Sequence, residues 1–176
     1  MNLSHTIIRL LKKEDLPALE WDGEFKHFRR LYSEIFKSAG AGKALMWIAD
    51  LPGDSVIGQL FIQLTSSRIE LADGCVRAYI YGFRIKPAYR RLGLGKRMLL
   101  VVEDDLMQRG FQIATLNVAQ DNPDARRLYE QMGYQVIGTD PGQWSYLDHL
   151  GNRRDVREPA WRMEKALQSV AVSLNN

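Results

Sequence analysis

The segment that most constrains the fold of this sequence is a strand followed at once by a proline turn and a glycine-containing helix start. Residues 76–85 are dense in aromatic and β-branched side chains, which predicts a strand. Pro87 turns the chain, and a helix is expected over residues 91–109, where an apolar stripe repeats at helical spacing. Because side chains alternate along a strand, residues 79, 81, 83 and 85 are expected to share one face. Gly82, inside the strand, indicates a bulge or a close backbone approach.

The start of this helix is suited to an anion. Free amide groups and the positive end of the helix dipole attract phosphate at a helix N-terminus. Gly93 and Gly95 let a phosphate approach the backbone, and four basic side chains add positive charge: Arg90, Arg91, Lys96 and Arg97. A pyrophosphate is the natural ligand of such a site, although a turn with solvated basic residues is the alternative. The glycine spacing fits neither a P-loop nor a dinucleotide-binding fingerprint.

The rest of the chain alternates strands and helices in its middle and has antiparallel pairs at both ends, which predicts a mixed α/β sheet. Further helices are expected at 14–19, 24–38 and 123–132, and further strands at 6–11, 44–50, 56–64, 111–118 and 134–138. A late hairpin is expected between residues 144–150 and 160–165, around a turn at Gly151 and Asn152.

Composition excludes several classes of protein. With 176 residues, the chain is predicted to form a single domain over residues 1–176. Cys75 is the only cysteine and the three histidines have no ligand spacing, so no metal is expected. The net charge of +3, without long basic runs, argues against nucleic acid. No run of eighteen apolar residues and no signal-like start occur, so we expect a cytoplasmic protein that does not enter a membrane.

Two motifs of this sequence resemble a known family. Arg90 to Gly95 match the R/Q-x-x-G-x-G/A signature of GNAT N-acetyltransferases, in the same strand-proline-tyrosine context. Asn122 to Tyr134 resemble the family's second motif, N-x-x-A-x-x-L-Y-E-x-x-G-F/Y, at the expected position downstream. The resemblance covers residues 6–138 and is closest over 79–137.

This resemblance implies an α/β (α+β) GNAT acyl-CoA N-acyltransferase fold. Its mixed, mostly antiparallel sheet would have six or seven strands flanked by helices, and its central parallel pair, residues 79–85 and 112–118, would splay apart to admit a pantetheine. Acetyl-CoA is implied as the acetyl donor. The implied contacts are the backbone of Phe83 and Ile85 to pantetheine, the side chain of Asn122 to pantetheine, and the amides of Arg91, Leu92, Gly93, Leu94, Gly95 and Lys96 to pyrophosphate. Asn122 is also a good cap for the helix that begins at Pro123.

Tyr129 is the residue to which the resemblance assigns chemistry. A phenol beside the sulfur can act as general acid toward the departing thiolate. Read from its own helix, Tyr129 also belongs to an apolar stripe and could be a core residue. The chain departs from many family members in having Tyr81 and Asn117 where a glutamate base is common. A water chain beside Tyr81 and Asn117 is one alternative route for proton loss; side-chain alternatives are Glu24, Asp148 and His149.

The acceptor implied by the family is an amine, either a small molecule or a peptide N-terminus. Residues 21–32 and 139–161 are expected to select it, and candidate lining residues are Trp21, Phe25, Phe28, Trp144, Tyr146 and Trp161. The acidic run of residues 20–24 would attract a cation, or is a solvated turn. The late hairpin could pack against a second copy to form a homodimer. A non-catalytic acetyl-CoA-binding or sensing module, a nucleic-acid binder and a transferase of longer acyl chains are the competing interpretations.

Overall fold

The structure is a computed structural model that describes residues 3–168. Within that range the chain forms three α-helices: α1 Arg29–Gly40, α2 Leu94–Gln108 and α3 Pro123–Gln131. Short 3-10 segments lie at Lys13–Gly23, Lys26–Phe28 and Pro87–Tyr89. The nine strands of the same range are β1 Ile7–Leu10, β2 Ala44–Leu51, β3 Ser55–Gln63, β4 Arg77–Ile85, β5 Ile113–Ala119, β6 Gln135–Asp140, β7 Gln143–Leu147, β8 Arg153–Arg157 and β9 Ala160–Ala166.

Seven strands form one sheet in the order β1-β2-β3-β4-β5-β9-β6. All neighbours are antiparallel except β4 and β5, which run parallel. Pairing between β4 and β5 ends at Ile80 and Leu116, and the second half of β4 has no partner on that side. The predicted mixed, mostly antiparallel sheet with a splayed parallel pair is therefore confirmed.

Two apolar clusters cover the two faces of this sheet. On the face that we call the α2 face, α2 and α3 bury Met98, Leu99 and Val102 against Ile80 and Leu116. On the opposite face, the α1 face, α1 and the 3-10 segments bury the residues Leu19, Phe28, Tyr32 and Ile35 against β2 and β3. The predicted apolar stripe of α2 is confirmed, since Gly95, Met98, Leu99, Val102 and Leu106 are all buried.

Two predicted helix starts lie too early in the chain. α1 begins at Arg29 rather than at residue 24, because the chain leaves the left-handed residues Trp21, Asp22 and Gly23 (φ 45, 58 and 102°) and then forms a 3-10 turn at Lys26–Phe28 before the α-helix starts. α2 begins at Leu94 rather than at residue 91, because Arg91 and Gly93 are also left-handed (φ 60 and 81°). Each helix thus follows a tight turn that an apolar stripe does not reveal.

Gly82 forms a bulge in β4, as predicted. Gln59 of β3 pairs with Arg84, whereas Phe61 pairs with Tyr81, so Gly82 and Phe83 together face a single β3 residue. The Gly82 carbonyl accepts a hydrogen bond from the Gln59 side chain at 3.2 Å. The bulge reverses the side-chain alternation: Tyr81 packs on the α1 face, but Phe83 and Ile85 pack on the α2 face.

The prediction that residues 79, 81, 83 and 85 share one face is therefore wrong. A strand without a bulge would keep them together, but the extra residue at position 82 shifts the two-residue period by one. As a consequence, Arg84 rather than Phe83 faces α1.

Substitution of Gly82 by alanine is expected to destabilise the protein by about 2 kcal/mol or more. Gly82 has φ 59°, and a Cβ there would lie 2.7 Å from Cδ2 of the buried Phe61 ring. Chemical denaturation measures the loss. Gly138→Ala is the matched control, because a Cβ on that strand glycine meets nothing within 4 Å and its φ is not left-handed. Equal stability of the two variants would contradict the strain and clash assigned to Gly82.

The late hairpin has a different partner from the one predicted. β7 pairs with β8 around the turn at Gly151, and this pair forms a separate two-stranded sheet. β9 instead enters the main sheet between β5 and β6. The turn was identified correctly, but the charged segment Arg153–Arg157, and not Ala160–Ala166, forms the second strand. In the described part of the chain, no helix is long and apolar enough to cross a bilayer.

Candidate active site

The candidate site is centred on the gap where β4 and β5 separate. Tyr81 and Asn117 lie one residue beyond the last pair, Ile80 with Leu116, and so flank the start of the gap. The Asn117 Oδ1 atom is buried and has no hydrogen-bond partner among residues 3–168. Such a buried acceptor is open to a donor from water or from a ligand.

Six consecutive amides lie free at the first turn of α2. Within the described residues, the backbone NH groups of residues 91–96 donate to no acceptor, and the first helical bond runs from the Arg97 amide to the Gly93 carbonyl at 3.1 Å. Gly93, which caps the helix, has no side chain with which to satisfy these donors. The left-handed angles of Arg91 and Gly93 curl this segment into a turn. Such a turn at a helix N-terminus is a site for an anion.

The two glycines of this turn have different physical roles. A Cβ on Gly93 would meet nothing within 4 Å, so the backbone there is open and its left-handed φ is the reason for glycine. A Cβ on Gly95 would lie 3.2 Å from Leu128 and 3.4 Å from Ile85, in the protein interior. The interpretation that Gly95 clears space for a phosphate is therefore wrong: its missing side chain lets α2 pack closely on β4 and α3.

The four basic side chains around this turn are not equivalent. Arg90 donates from Nε to the Ile85 carbonyl at 2.8 Å, and Lys96 is exposed. Arg91 reaches Asp124 of α3 across the mouth of the gap, an exposed ion pair with 3.0 Å between Nη2 and Oδ2. Arg97 turns away, because its guanidinium donates to the carbonyls of Leu3 and Thr6. Three of the four cations therefore remain at the anion site.

The unpaired half of β4 presents backbone groups to the gap. The Lys86 amide donates to the Ile57 carbonyl of β3 at 2.8 Å. Because successive residues of a strand direct their NH and CO groups to opposite sides, the Ile85 amide points away from β3 and toward the gap. That edge has no strand beside it, which leaves it open to an extended ligand.

Tyr129 of α3 is buried on the α2 face beside the gap, with 8% of its surface exposed. Its ring stands edge-on to Tyr134 at 5.8 Å, and its hydroxyl makes no hydrogen bond within the described part of the protein. Burial raises the pKa of the Tyr129 phenol, and the nearby Tyr79 raises it further. The phenol therefore stays protonated at neutral pH and has a proton available for transfer.

Two more phenols, Tyr79 and Tyr81, lie on β4 around the point where the gap begins. Tyr79 and Tyr81 stack with their ring centroids 5.6 Å apart, and burial raises the pKa of both. The pKa of Tyr79 reaches about 12. Tyr79 is not among the site residues that the sequence patterns predict; the only sign of it is the presence of three tyrosines, at positions 79, 81 and 129, in otherwise apolar segments.

Asn122 is the N-cap of α3. Its side-chain oxygen accepts a hydrogen bond from the Ala125 amide at 3.1 Å, so the capping interpretation is confirmed. The side-chain NH2 group remains available to a ligand, and the cofactor contact stays a prediction.

An aromatic cluster lies on the α1 face of the sheet. Phe28 is at its centre, with Tyr146 at 4.9 Å, Phe25 at 6.2 Å and Trp144 at 6.3 Å between ring centroids. Trp21 stands edge-on to Phe25 at 5.0 Å. Five of the six predicted lining residues thus gather, but Trp161 lies on the α2 face beneath Arg126.

The side-chain candidates for a general base differ in their surroundings. Asp148 is buried, accepts hydrogen bonds from the Leu150 and Asn152 amides and pairs with Arg154, so its pKa is lowered to about 2 even though burial alone would raise it. Such a carboxylate is a poor base. Glu24 is exposed at the turn before α1, whereas His149 has a buried Nδ1 without a partner among residues 3–168. Of the three, His149 is the candidate that has a buried ring nitrogen without a partner in the described part of the chain.

The acidic run of residues 20–24 does not act as one charge. Glu20 is paired with Arg29, while Asp22 and Glu24 are exposed. The described residues contain no group of three or more His, Cys, Asp or Glu side chains that could hold a metal.

Comparison with known proteins agrees with this geometry. Residues 10–134 match the family model of the acetyltransferase (GNAT) family. The uncharacterized N-acetyltransferase YycN of Bacillus subtilis is 29% identical over 90 residues, 51% of this chain and 54% of that protein. The chain therefore matches about half the length of that relative.

Two solved structures have the same fold. Ard1 from Thermoplasma volcanium has a TM-score of 0.70 at 15% identity, with 94% of this chain and 99% of that one covered. The PaiA N-acetyltransferase of Thermoplasma acidophilum, solved in complex with coenzyme A, has a TM-score of 0.66 at 21% identity, with 92% and 98% covered. On its family match, which spans well over half its length, this chain belongs to the GNAT acetyltransferase family.

Proposed function

We propose that this protein is an N-acetyltransferase that moves an acetyl group from acetyl-CoA to a primary amine of a small molecule or a peptide N-terminus. The observation that carries the proposal is the position of the six free amides, residues 91–96, at the mouth of the gap between β4 and β5. An anion held there leaves an attached chain beside an unpaired strand edge. Coenzyme A has this form, a diphosphate continued by an extended amide-containing arm.

The residues present fit this ligand. The amides of residues 91–96 would hold the diphosphate, with Arg90, Arg91 and Lys96 adding positive charge. Phe83 and Ile85 would bond the pantetheine through their backbone, and Asn122 would bond it through its side-chain NH2 group. The unpartnered Asn117 Oδ1 lies deeper in the same gap.

Acetyl-CoA, when bound, supplies the acetyl group and a thiolate that leaves. The amine nitrogen forms a bond to the acetyl carbon, the carbon–sulfur bond breaks, and Tyr129 donates its phenolic proton to the sulfur. Burial of Tyr129 disfavours its charged phenolate form. A thiolate at the same place is disfavoured for the same reason, so burial does not oppose transfer of the proton from the phenol to the sulfur. The amine loses a proton, for which His149 is our candidate acceptor, directly or through water.

The rate of thiol release is expected to rise with pH and to show no alkaline fall up to about pH 10. Only the neutral amine attacks, and its fraction grows about tenfold per pH unit below a pKa of about 10. Tyr129 must be protonated to act, and burial raises its pKa, which extends the protonated form to higher pH. Initial rates between pH 6.5 and 10 test this. A loss of rate between pH 8 and 9.5, with an unchanged melting temperature, would contradict the role of Tyr129.

An amine panel tests the proposed function as a whole. Thiol release from acetyl-CoA is measured with small amines, polyamines, aminoglycosides and peptides with varied N-termini, and longer acyl-CoA donors test the chain length. Release above background supports the enzyme. Tight coenzyme A binding without thiol release in the presence of any amine would instead support a sensing module. The lack of a carboxylate at positions 81 and 117 would then explain the lack of catalysis. A homodimer and a cytoplasmic location stay predictions.

A further inference from the structure

Arg84 is a cation without a counter-ion on the α1 face. It follows the Gly82 bulge on the unpaired half of β4 and is half-buried. Its guanidinium carbon lies 4.2 Å from the ring centroid of Phe25 and 4.8 Å from that of Phe28. Its Nη1 atom donates to the Tyr32 hydroxyl at 3.1 Å. Its Nε and Nη2 atoms bond nothing among residues 3–168, which leaves one edge of the guanidinium free.

Two carboxylates in its neighbourhood are already paired, whereas Asp22 and Glu24 at the edge of the aromatic cluster are exposed to solvent. Glu20 is paired with Arg29, and Asp148 is paired with Arg154 and with two backbone amides. His27 belongs to the same cluster, with its ring centroid 4.2 Å from that of Phe28. Burial is the largest cause of the lowered pKa of His27; Arg84, His149 and Arg154 lower it further, and Asp148 raises it. Arg84 and Arg154 therefore lie near the aromatic cluster, which favours an acceptor that carries a negative group as well as its amine.

We propose that the acceptor of this enzyme carries a carboxylate, which the free edge of Arg84 binds. The Nε and Nη2 groups of arginine form a planar pair of donors that matches the two oxygens of a carboxylate. Tyr32 and the two phenylalanine rings hold the guanidinium in position, so little side-chain freedom is lost on binding. The inference rests on the proposed function and narrows its substrate class to amino acids or to peptides with an acidic side chain near the N-terminus.

Matched pairs of acceptors test the inference. β-Alanine and 4-aminobutyrate are compared with their carboxamides, and peptides with Asp or Glu at the second position are compared with their Asn or Gln counterparts. We expect kcat/KM for at least one acid to exceed that of its amide by about 10- to 100-fold. The Arg84→Gln variant is expected to reduce this ratio to about one, and Arg84→Lys to an intermediate value. Comparing ratios between variants cancels differences in amine basicity.

Binding gives a readout that does not depend on turnover. In calorimetry with coenzyme A present, N-acetyl-β-alanine or N-acetyl-4-aminobutyrate, or an N-acetylated acidic peptide if the peptides are the better acceptors, should bind the wild-type protein and not Arg84→Gln. Arg109→Gln, at the far end of α2, is the control and should behave as wild type. Should Arg84→Gln fail to fold, Arg84→Lys carries the same comparison.

Equal use of acids and amides by the wild-type enzyme would overturn the inference, as would a preference that survives Arg84→Gln. In both cases thiol release itself persists, so the proposed acetyl transfer would stand. Absence of release with every amine would overturn the proposed function and this inference together.

Discussion

Replacement of Tyr129 by phenylalanine is expected to lower kcat by about 100-fold and to leave the affinity for coenzyme A nearly unchanged. A positioned general acid contributes on the order of 10²- to 10⁴-fold to a rate. The Tyr129 hydroxyl makes no hydrogen bond within the described residues, so its removal breaks no structural contact, while the ring remains in the core. Steady-state kinetics and calorimetry measure the two quantities separately.

Tyr134→Phe is the matched control for this prediction. Tyr134 is the aromatic neighbour of Tyr129, but its hydroxyl donates to the buried Glu103 carboxylate at 2.8 Å, and Lys165 pairs with the same carboxylate. Loss of that hydroxyl should lower the melting temperature and leave kcat unchanged. Wild-type turnover in Tyr129→Phe would remove its role as the acid.

Replacement of Gly93 by valine is expected to weaken coenzyme A binding by at least tenfold. Gly93 has φ 81°, which a β-branched residue does not adopt without strain, so the turn must rearrange and its amides no longer converge. The predicted loss concerns the phosphate contacts. Affinity for pantetheine, which has no phosphate, should change little in the same variant.

Gly110→Val separates strain from ligand binding. Gly110 lies just beyond the other end of α2, has φ 91°, and also has open space around its missing side chain. Both variants should therefore lose comparable stability, but only Gly93→Val should lose coenzyme A affinity. Equal affinities in the two variants would show that the turn at Gly93 does not hold the ligand.

The two segments that form the site could be predicted because their signals are local. The start of α2 depends on glycines, a proline and an apolar stripe within about twenty residues, and α3 depends on Asn122, Pro123 and Gly133 at its ends. The exact first residue of α2 could not be predicted, since it depends on the left-handed angle of Arg91. A non-glycine residue gives no sign of such an angle in the sequence.

Strand partners were the least predictable part of the fold. The segment Ala160–Ala166 reads as a strand, but its choice of β5 and β6 over β7 depends on contacts between residues that are distant in the chain. A glycine within a strand predicts the bulge at Gly82, but the effect of the bulge on the side chains that follow depends on the register of β3 against β4. This is why the sequence does not show that Arg84, a cation within an apolar strand, faces Phe25 and Phe28.

The central claim is that the amides of residues 91–96 bind the diphosphate of coenzyme A. Backbone NMR of the isotope-labelled protein, titrated with coenzyme A and in parallel with pantetheine, tests it most directly. We predict that these six amide signals shift strongly with coenzyme A and much less with pantetheine, with saturation at the calorimetric affinity. Absence of binding, or saturation by coenzyme A with these six signals unmoved, would contradict the claim.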